Sequence, residues 1–166
     1  MKAPMTRARS ALKVCVKPTE PHEIPVVIRD LRKADIQEAM ACGMDPHKAV
    51  TGSVAASTAV YTIIGGGRPI GLFGVGPVEL KEMPGVRVGC IWMVGTPDIS
   101  RISMESLKQS RRWVNTMHNY YPVLWNWVYA ANAVHVRWLK WLGFKIIGMG
   151  ARGPQGLPFY QFIRVN

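Results

Sequence analysis

Acidic side chains are scarce in this chain: 10 Asp and Glu stand against 21 Lys and Arg over 166 residues, a formal net charge of +11 at pH 7. That deficit favours an anionic partner, whether nucleic acid, a membrane surface or an acidic protein, and it carries no information about fold. Cysteine is almost absent. Cys15, Cys42 and Cys90 are odd in number and widely spaced, which excludes a disulfide framework and any recognisable metal-ligand spacing, and no metal site is expected. They point to a reducing compartment, with the thiols as core filler or bystanders. No apolar run reaches the roughly 18 residues that cross a bilayer, and the N-terminus lacks the apolar centre of a signal peptide, so a soluble, unsecreted protein is expected. What is present is apolar enough, at 48% hydrophobic residues, to bury one core in one domain.

Taken in order, residues 1–24 are rich in Pro, Lys and Arg without periodicity and read as a basic arm preceding a domain at 25–166. The arm carries Lys2, Arg7, Arg9, Lys13 and Lys17, which are candidate contacts to a partner or to nucleic acid, and its prolines suit an extended docking strap. Pro25 to Asp30 reads as a short β-branched strand. A helix from Ala34 to Gly43 follows, then a second opened by Asp45-Pro46 as cap and first turn. Ala59 to Ile64 and Pro69 to Val75 flank Gly65-Gly66-Gly67-Arg68 as a hairpin. Val86 to Val94 is a strand, Ser103 to about Asn119 one long helix, and Lys145 to Met149 and Leu157 to Arg164 two closing strands.

Between them lies the most specific stretch, Tyr121 to Phe144. Val123 to Ala130 is a near-continuous apolar run that suits a buried strand. From Ala133 the period changes to a helical stripe of Val134, Val136, Trp138, Leu139, Trp141 and Leu142, with Asn132 at the N-cap and Gly143 at the stop. This strand, Asn cap, helix and Gly-Phe resembles the second half of the GNAT (Gcn5-related N-acetyltransferase) fold. Trp125-Asn126, Asn132, His135, Arg137, Leu139-Lys140 and Gly143 look like the acyltransferase-like internal virion protein of short-tailed phages. The resemblance implies an α+β or α/β domain: a mixed sheet of about seven strands flanked by about four helices.

The resemblance also implies where chemistry would sit. An active family member holds the diphosphate of acetyl-CoA on backbone N–H groups of a glycine turn after its fourth strand, using unpaired amides and the helix dipole. Here that segment is Val94-Gly95-Thr96-Pro97-Asp98-Ile99-Ser100-Arg101-Ile102-Ser103, in which Gly95 comes too early, Pro97 lacks an N–H and Asp98 is negative. Gly95, Ser103 and Asn132 are the candidate cofactor contacts. The fourth-strand carboxylate that would act as base is missing from Val86 to Val94, and Leu139 takes the place of the thiolate-protonating Tyr. His135, Tyr129 and Asp98 remain as candidate catalytic substitutes. A lone His at a helix start is more often structural, and Asn132 is explained by capping alone.

Two other patterns carry less. Gly148-Met149-Gly150-Ala151-Arg152-Gly153 matches the dinucleotide fingerprint, but Pro154 and Gly156 stand where a helix should begin, so it reads as a loop. The six tryptophans crowd the second half, where strand and helix need buried faces, and any exposed ones would be interface anchors beside Lys108, Arg111 and Arg112. The expected function is an internal virion protein on an acetyltransferase scaffold without chemistry or cofactor. It would contact portal, core or tail proteins, and phage DNA through basic residues, inside the particle and in the host cytoplasm during assembly. The alternative is an active N-acyltransferase using acetyl-CoA.

Overall fold

The computed structural model describes residues 10–166, so Lys2, Arg7 and Arg9 of the expected arm lie outside the described residues. Seven strands, β1 (Val14–Pro18), β2 (Ala59–Gly65), β3 (Arg68–Val78), β4 (Val88–Gly95), β5 (Val123–Tyr129), β6 (Lys145–Arg152) and β7 (Leu157–Val165), form one sheet in the order β1-β2-β3-β4-β5-β7-β6. Every neighbouring pair is antiparallel except β4 and β5. The helices are α1 (Ile24–Arg29), α2 (Lys33–Ala41), α3 (Pro46–Ala56), α4 (Met104–Lys108), α5 (Ser110–Met117) and α6 (Ala133–Trp141).

Alternation along the strands divides the core between two faces. Leu72 packs with Val27 of α1, Val50 of α3 and Leu31, whereas its neighbour Phe73 points the other way toward Val114 and Met117 of α5 and Val136 and Leu139 of α6. Leu124, Val128 and Phe162 complete that second, larger cluster. A smaller third cluster, built on Val88, Val123 and Trp125, lies under Leu80 and Met83 of the β3–β4 connection. The turn between β2 and β3 places Gly66 and Gly67 at φ +59° and +74°, the conformation a tight hairpin requires at both central positions. Asp45 caps α3 through the Lys48 N–H at 2.9 Å, and Gly143 leaves α6 at φ +91°.

Four sequence expectations need correction, one of them the glycine-rich segment from Gly148 expected as a loop, which runs on in β6 to Arg152 and pairs with β7. The first strand is Val14–Pro18, inside the segment expected to be an arm, and it pairs with β2 from Val14 opposite Gly65 to Pro18 opposite Tyr61. Pro25 to Asp30 is helical: Pro25 sits in the first turn of α1, where a missing N–H is harmless, and Val27 is fully buried against the first face. Packing of that face overrides the β propensity of Val26, Val27 and Ile28. The long helix from Ser103 is interrupted at Gln109 into α4 and α5. At the far edge, β6 carries a register shift between Ile146 and Gly148, leaving Ile147 unpaired and half exposed.

Glu23 fastens the first strand to the sheet. Its carboxylate is buried, accepts hydrogen bonds from Thr62 Oγ1 at 2.8 Å and the Glu20 N–H at 2.9 Å, and pairs with Lys17 at 2.7 Å. Burial alone would raise its proton affinity, but the hydrogen bonds from Glu20, Lys17 and Thr62 outweigh it and hold the carboxyl below its ordinary range. A carboxyl depressed in the folded state adds stability above the unfolded pKa and loses it as pH falls through the folded one. Glu23→Gln should therefore lower stability at pH 7 by roughly 1–3 kcal/mol, with the gap to wild type closing near pH 3, as urea denaturation at both pH values will show.

Candidate functional site

The site arises where the one parallel pairing fails. β4 and β5 are in register only from Val88 opposite Val123 to Cys90 opposite Trp125, after which the strands part. Where the next ladder bond would fall, the Asn126 side chain donates from Nδ2 to the Ile91 carbonyl at 2.8 Å, and its Oδ1 accepts the Trp127 N–H at 2.7 Å. Beyond this bridge opens a cavity of about 710 Å³, lined among others by Glu38, Cys42, Ile91, Asn126, His135 and Trp138.

One side of the cavity holds a polar group that the sequence did not reveal. α2 turns Asp35, Glu38, Ala39 and Cys42 toward it. Burial pushes the Glu38 carboxyl up to about 7, assisted by the negative charge of Asp35, against opposing contributions from the Tyr129 backbone N–H, the Asn132 amide and Arg32. Asn132 caps α6 by accepting the His135 N–H at 3.3 Å, while its Nδ2 is shielded from solvent without a hydrogen-bond partner of ordinary geometry. His135 is in the same position: its Nδ1 is shielded and unpartnered, and burial, reinforced by the positive charge of Arg32, pushes its pKa down to about 4. The imidazole is thus neutral at physiological pH. Asn132 and His135 therefore meet in one place and Glu38 joins them, whereas Tyr129 contributes its backbone N–H and packs its ring on Phe159 at 5.2 Å.

Asp98 does not. It lies on the short 3-10 turn Pro97–Arg101 after β4, bound by Arg101 at 2.9 Å and Arg68 at 3.3 Å. Three amides flanking this turn are engaged: the Gly95 N–H donates to Asp35 Oδ2 at 2.8 Å, the Thr96 N–H to the Ile70 carbonyl at 2.8 Å, and the Ser103 N–H to the Leu12 carbonyl at 2.8 Å. A Cβ added at Gly95 would collide with the Ile99 side chain, so the space in front of the glycine is filled. Asp35 is held in turn by a bidentate pair with Arg32, at 2.8 and 3.1 Å. The Ser103 side chain caps α4 by accepting the Ser106 N–H at 3.2 Å.

Among the described residues, no three His, Cys, Asp or Glu side chains converge as a metal site, and no helix is long and apolar enough to cross a membrane. Lys13 is exposed and Lys17 is tied to Glu20 and Glu23. Lys108, Arg111 and Arg112 are exposed on α4 and α5. Most tryptophans serve the core: Trp125 is buried edge-on to Trp127 at 6.1 Å, Trp113 packs on Tyr61 and Phe73, and Trp92 donates to Ser57 Oγ at 2.8 Å. Trp141 is the exception, with 36% of its surface exposed.

Solved structures with this architecture are acetyltransferases. The aminoglycoside N(6')acetyltransferase of Legionella pneumophila superposes with a TM-score of 0.68 at 13% identity, covering 92% of this chain and 91% of that one. The ribosomal-protein-alanine N-acetyltransferase of Brucella melitensis gives 0.68 at 13% identity, covering 92% and 99%. Aminoglycoside acetyltransferase AAC(6')-Ib in complex with coenzyme A gives 0.66 at 17% identity, covering 93% and 95%. This chain has the GNAT acetyltransferase fold. At such identities the likeness is one of fold alone. In sequence, residues 80–147 match the family described as "Bacteriophage T7, probable scaffold protein Gp13". No curated protein is significantly similar to the chain.

Acyl-CoA, the cofactor this fold implies, does not fit the turn after β4. The Gly95 amide is taken by a carboxylate and Pro97 offers no N–H. The Glu38 carboxyl, by contrast, is poised near neutrality. Because its folded pKa lies above the unfolded one, the folded state binds the extra proton, and stability should fall as pH rises from about 4.5 to about 7 and then level off. Glu38→Gln should flatten that decline and stabilise the protein at pH 8 by roughly 2 kcal/mol. Denaturant unfolding of both proteins across this range measures it.

Proposed function

We propose that the protein is an internal structural protein of a tailed-phage particle, built on an acetyltransferase fold that has lost its use of acyl-CoA. The observation that carries the reading is the closed turn after β4: the Asp35 carboxylate occupies the Gly95 amide and Ile99 fills the space in front of it. The match of residues 80–147 to a phage scaffold-protein family supports a role in particle assembly. Its partners are then other virion proteins of the portal, core or tail, and packaged DNA, which suits the net charge of +11. It would be made in the host cytoplasm and carried within the capsid.

A second reading, an active N-acyltransferase, is favoured by one observation, the Glu38 carboxyl near neutrality beside Asn132 and His135. Thermal unfolding with and without millimolar acetyl-CoA separates the two. The structural reading expects no shift. A ligand at a hundred times its dissociation constant stabilises a fold by about 2.7 kcal/mol, a rise of several degrees, and that result would restore the enzyme. Immunoblotting of purified particles is the positive test, and absence of the protein from them would end the virion reading.

A further inference from the structure

The charge of this chain is distributed unevenly. From residue 106 to 166 there are eight Lys and Arg and no Asp or Glu, whereas residues 1–105 carry 13 against 10. The fold gathers much of the uncompensated charge on one face. Lys108, Arg111, Arg112 and Asn115 follow one another at helical spacing along α4 and α5, all exposed. Arg111 reaches across to α6, donating to the Trp141 carbonyl at 2.8 and 3.1 Å and stacking 4.4 Å over the Trp141 ring. That places exposed Lys140, in the last turn of α6, on the same surface. Arg164 of β7 donates to Asn115 Oδ1 at 2.7 Å, so the end of β7 joins too.

Nothing of opposite sign answers these cations. The ion pairs among the described residues involve Lys17, His22, Arg29, Arg32, Arg68 and Arg101, all on other parts of the molecule. Lys108, the last residue of α4, and Arg112, in the first turn of α5, are like charges four residues apart with no acidic partner between them. The charge of Arg111 also disfavours that of Arg164, after burial the second cause of its lowered pKa. Arg164 Nη1 is shielded and has no acceptor. Arg111 has a structural duty, capping the carbonyl end of α6, but Lys108, Arg112 and Lys140 have none that their contacts reveal.

We propose that this face, formed by α4, α5, the end of α6 and the adjoining end of β7, binds the phosphodiester backbone of duplex DNA without reading its sequence. The proposal rests on the virion reading for its biological setting and assigns the DNA contact within it to a surface. Among these elements Glu105, in the first turn of α4, is the single carboxylate, and from Lys108 onward the face carries cations alone, which suits a partner presenting a continuous line of negative charge. A protein surface with a few carboxylates would leave most of these cations unanswered.

Fluorescence anisotropy of the full chain with a 30-base-pair mixed-sequence duplex, titrated between 50 and 200 mM NaCl, tests it. About six phosphate contacts should lose about a thousandfold in affinity over that range. K108Q/R112Q/K140Q, made at exposed positions that hold no fold contact, should reduce the loss to about fortyfold. K33Q/K48Q/K81Q, an equal charge change at exposed positions elsewhere, should leave it unchanged. The proposal is overturned by no binding at 50 mM, by equal losses in both triple variants, or by polyglutamate displacing the duplex at equal charge concentration. If the first triple variant binds DNA like wild type while the protein is found in particles, the face is refuted and the virion reading stands. If wild type binds through this face but is absent from particles, the virion reading fails alone.

Discussion

Everything at the centre of this molecule depends on how short the parallel ladder between β4 and β5 is. Three residues of each strand are in register, and then a side chain, Asn126, stands in for the missing backbone partner by donating to Ile91. Both strands remain fully paired on their outer sides, β4 with β3 and β5 with β7, so the gap costs the sheet no coherence. It leaves a cavity through the middle of the fold, into which α2 and α6 turn polar groups that would otherwise belong at the surface. The neutral His135 and the proton-retaining Glu38 are results of that enclosure, because a low-dielectric space penalises each charged form.

Asp35 links this cavity to the turn after β4. Its carboxylate takes the Gly95 N–H and both donors of the Arg32 fork, tying α2 to the end of the fourth strand. In an anion-binding version of the turn the glycine amide would face a ligand; here a resident carboxylate has already satisfied it. The same contact therefore ties α2 to the sheet and leaves this amide with no free hydrogen to offer an anion.

Much of this was readable from residues, and the failures have physical causes. The segment from Val123 to Phe144 declares itself because its signals are local: a continuous apolar run, an Asn cap, a helical stripe and a glycine stop. The defects of the turn after β4 were equally visible, since a proline and an aspartate are defects by their chemistry. β1 was missed because only Val14 and Val16 carry its alternation, and the surrounding Lys and Pro outweigh two residues. α1 was misread because burial decided the backbone against propensity. Glu38 left no signal at all. α2 has no strongly apolar stripe, so nothing in the sequence says which side of the helix faces inward, and that depends on a cavity formed by strands fifty and more residues away.

The register shift in β6 has a consequence for life at high concentration. A sheet's outermost strand is an open template on which a neighbour's strand can add, and from there the addition can continue into fibres. Here the outermost strand bends at Ile147, carries glycines at 148 and 150, and is bounded by Lys145 and Arg152. An incoming strand would lose register within a few residues and meet a positive charge at either end. Copies of this chain crowded together are therefore hindered from zipping along this edge.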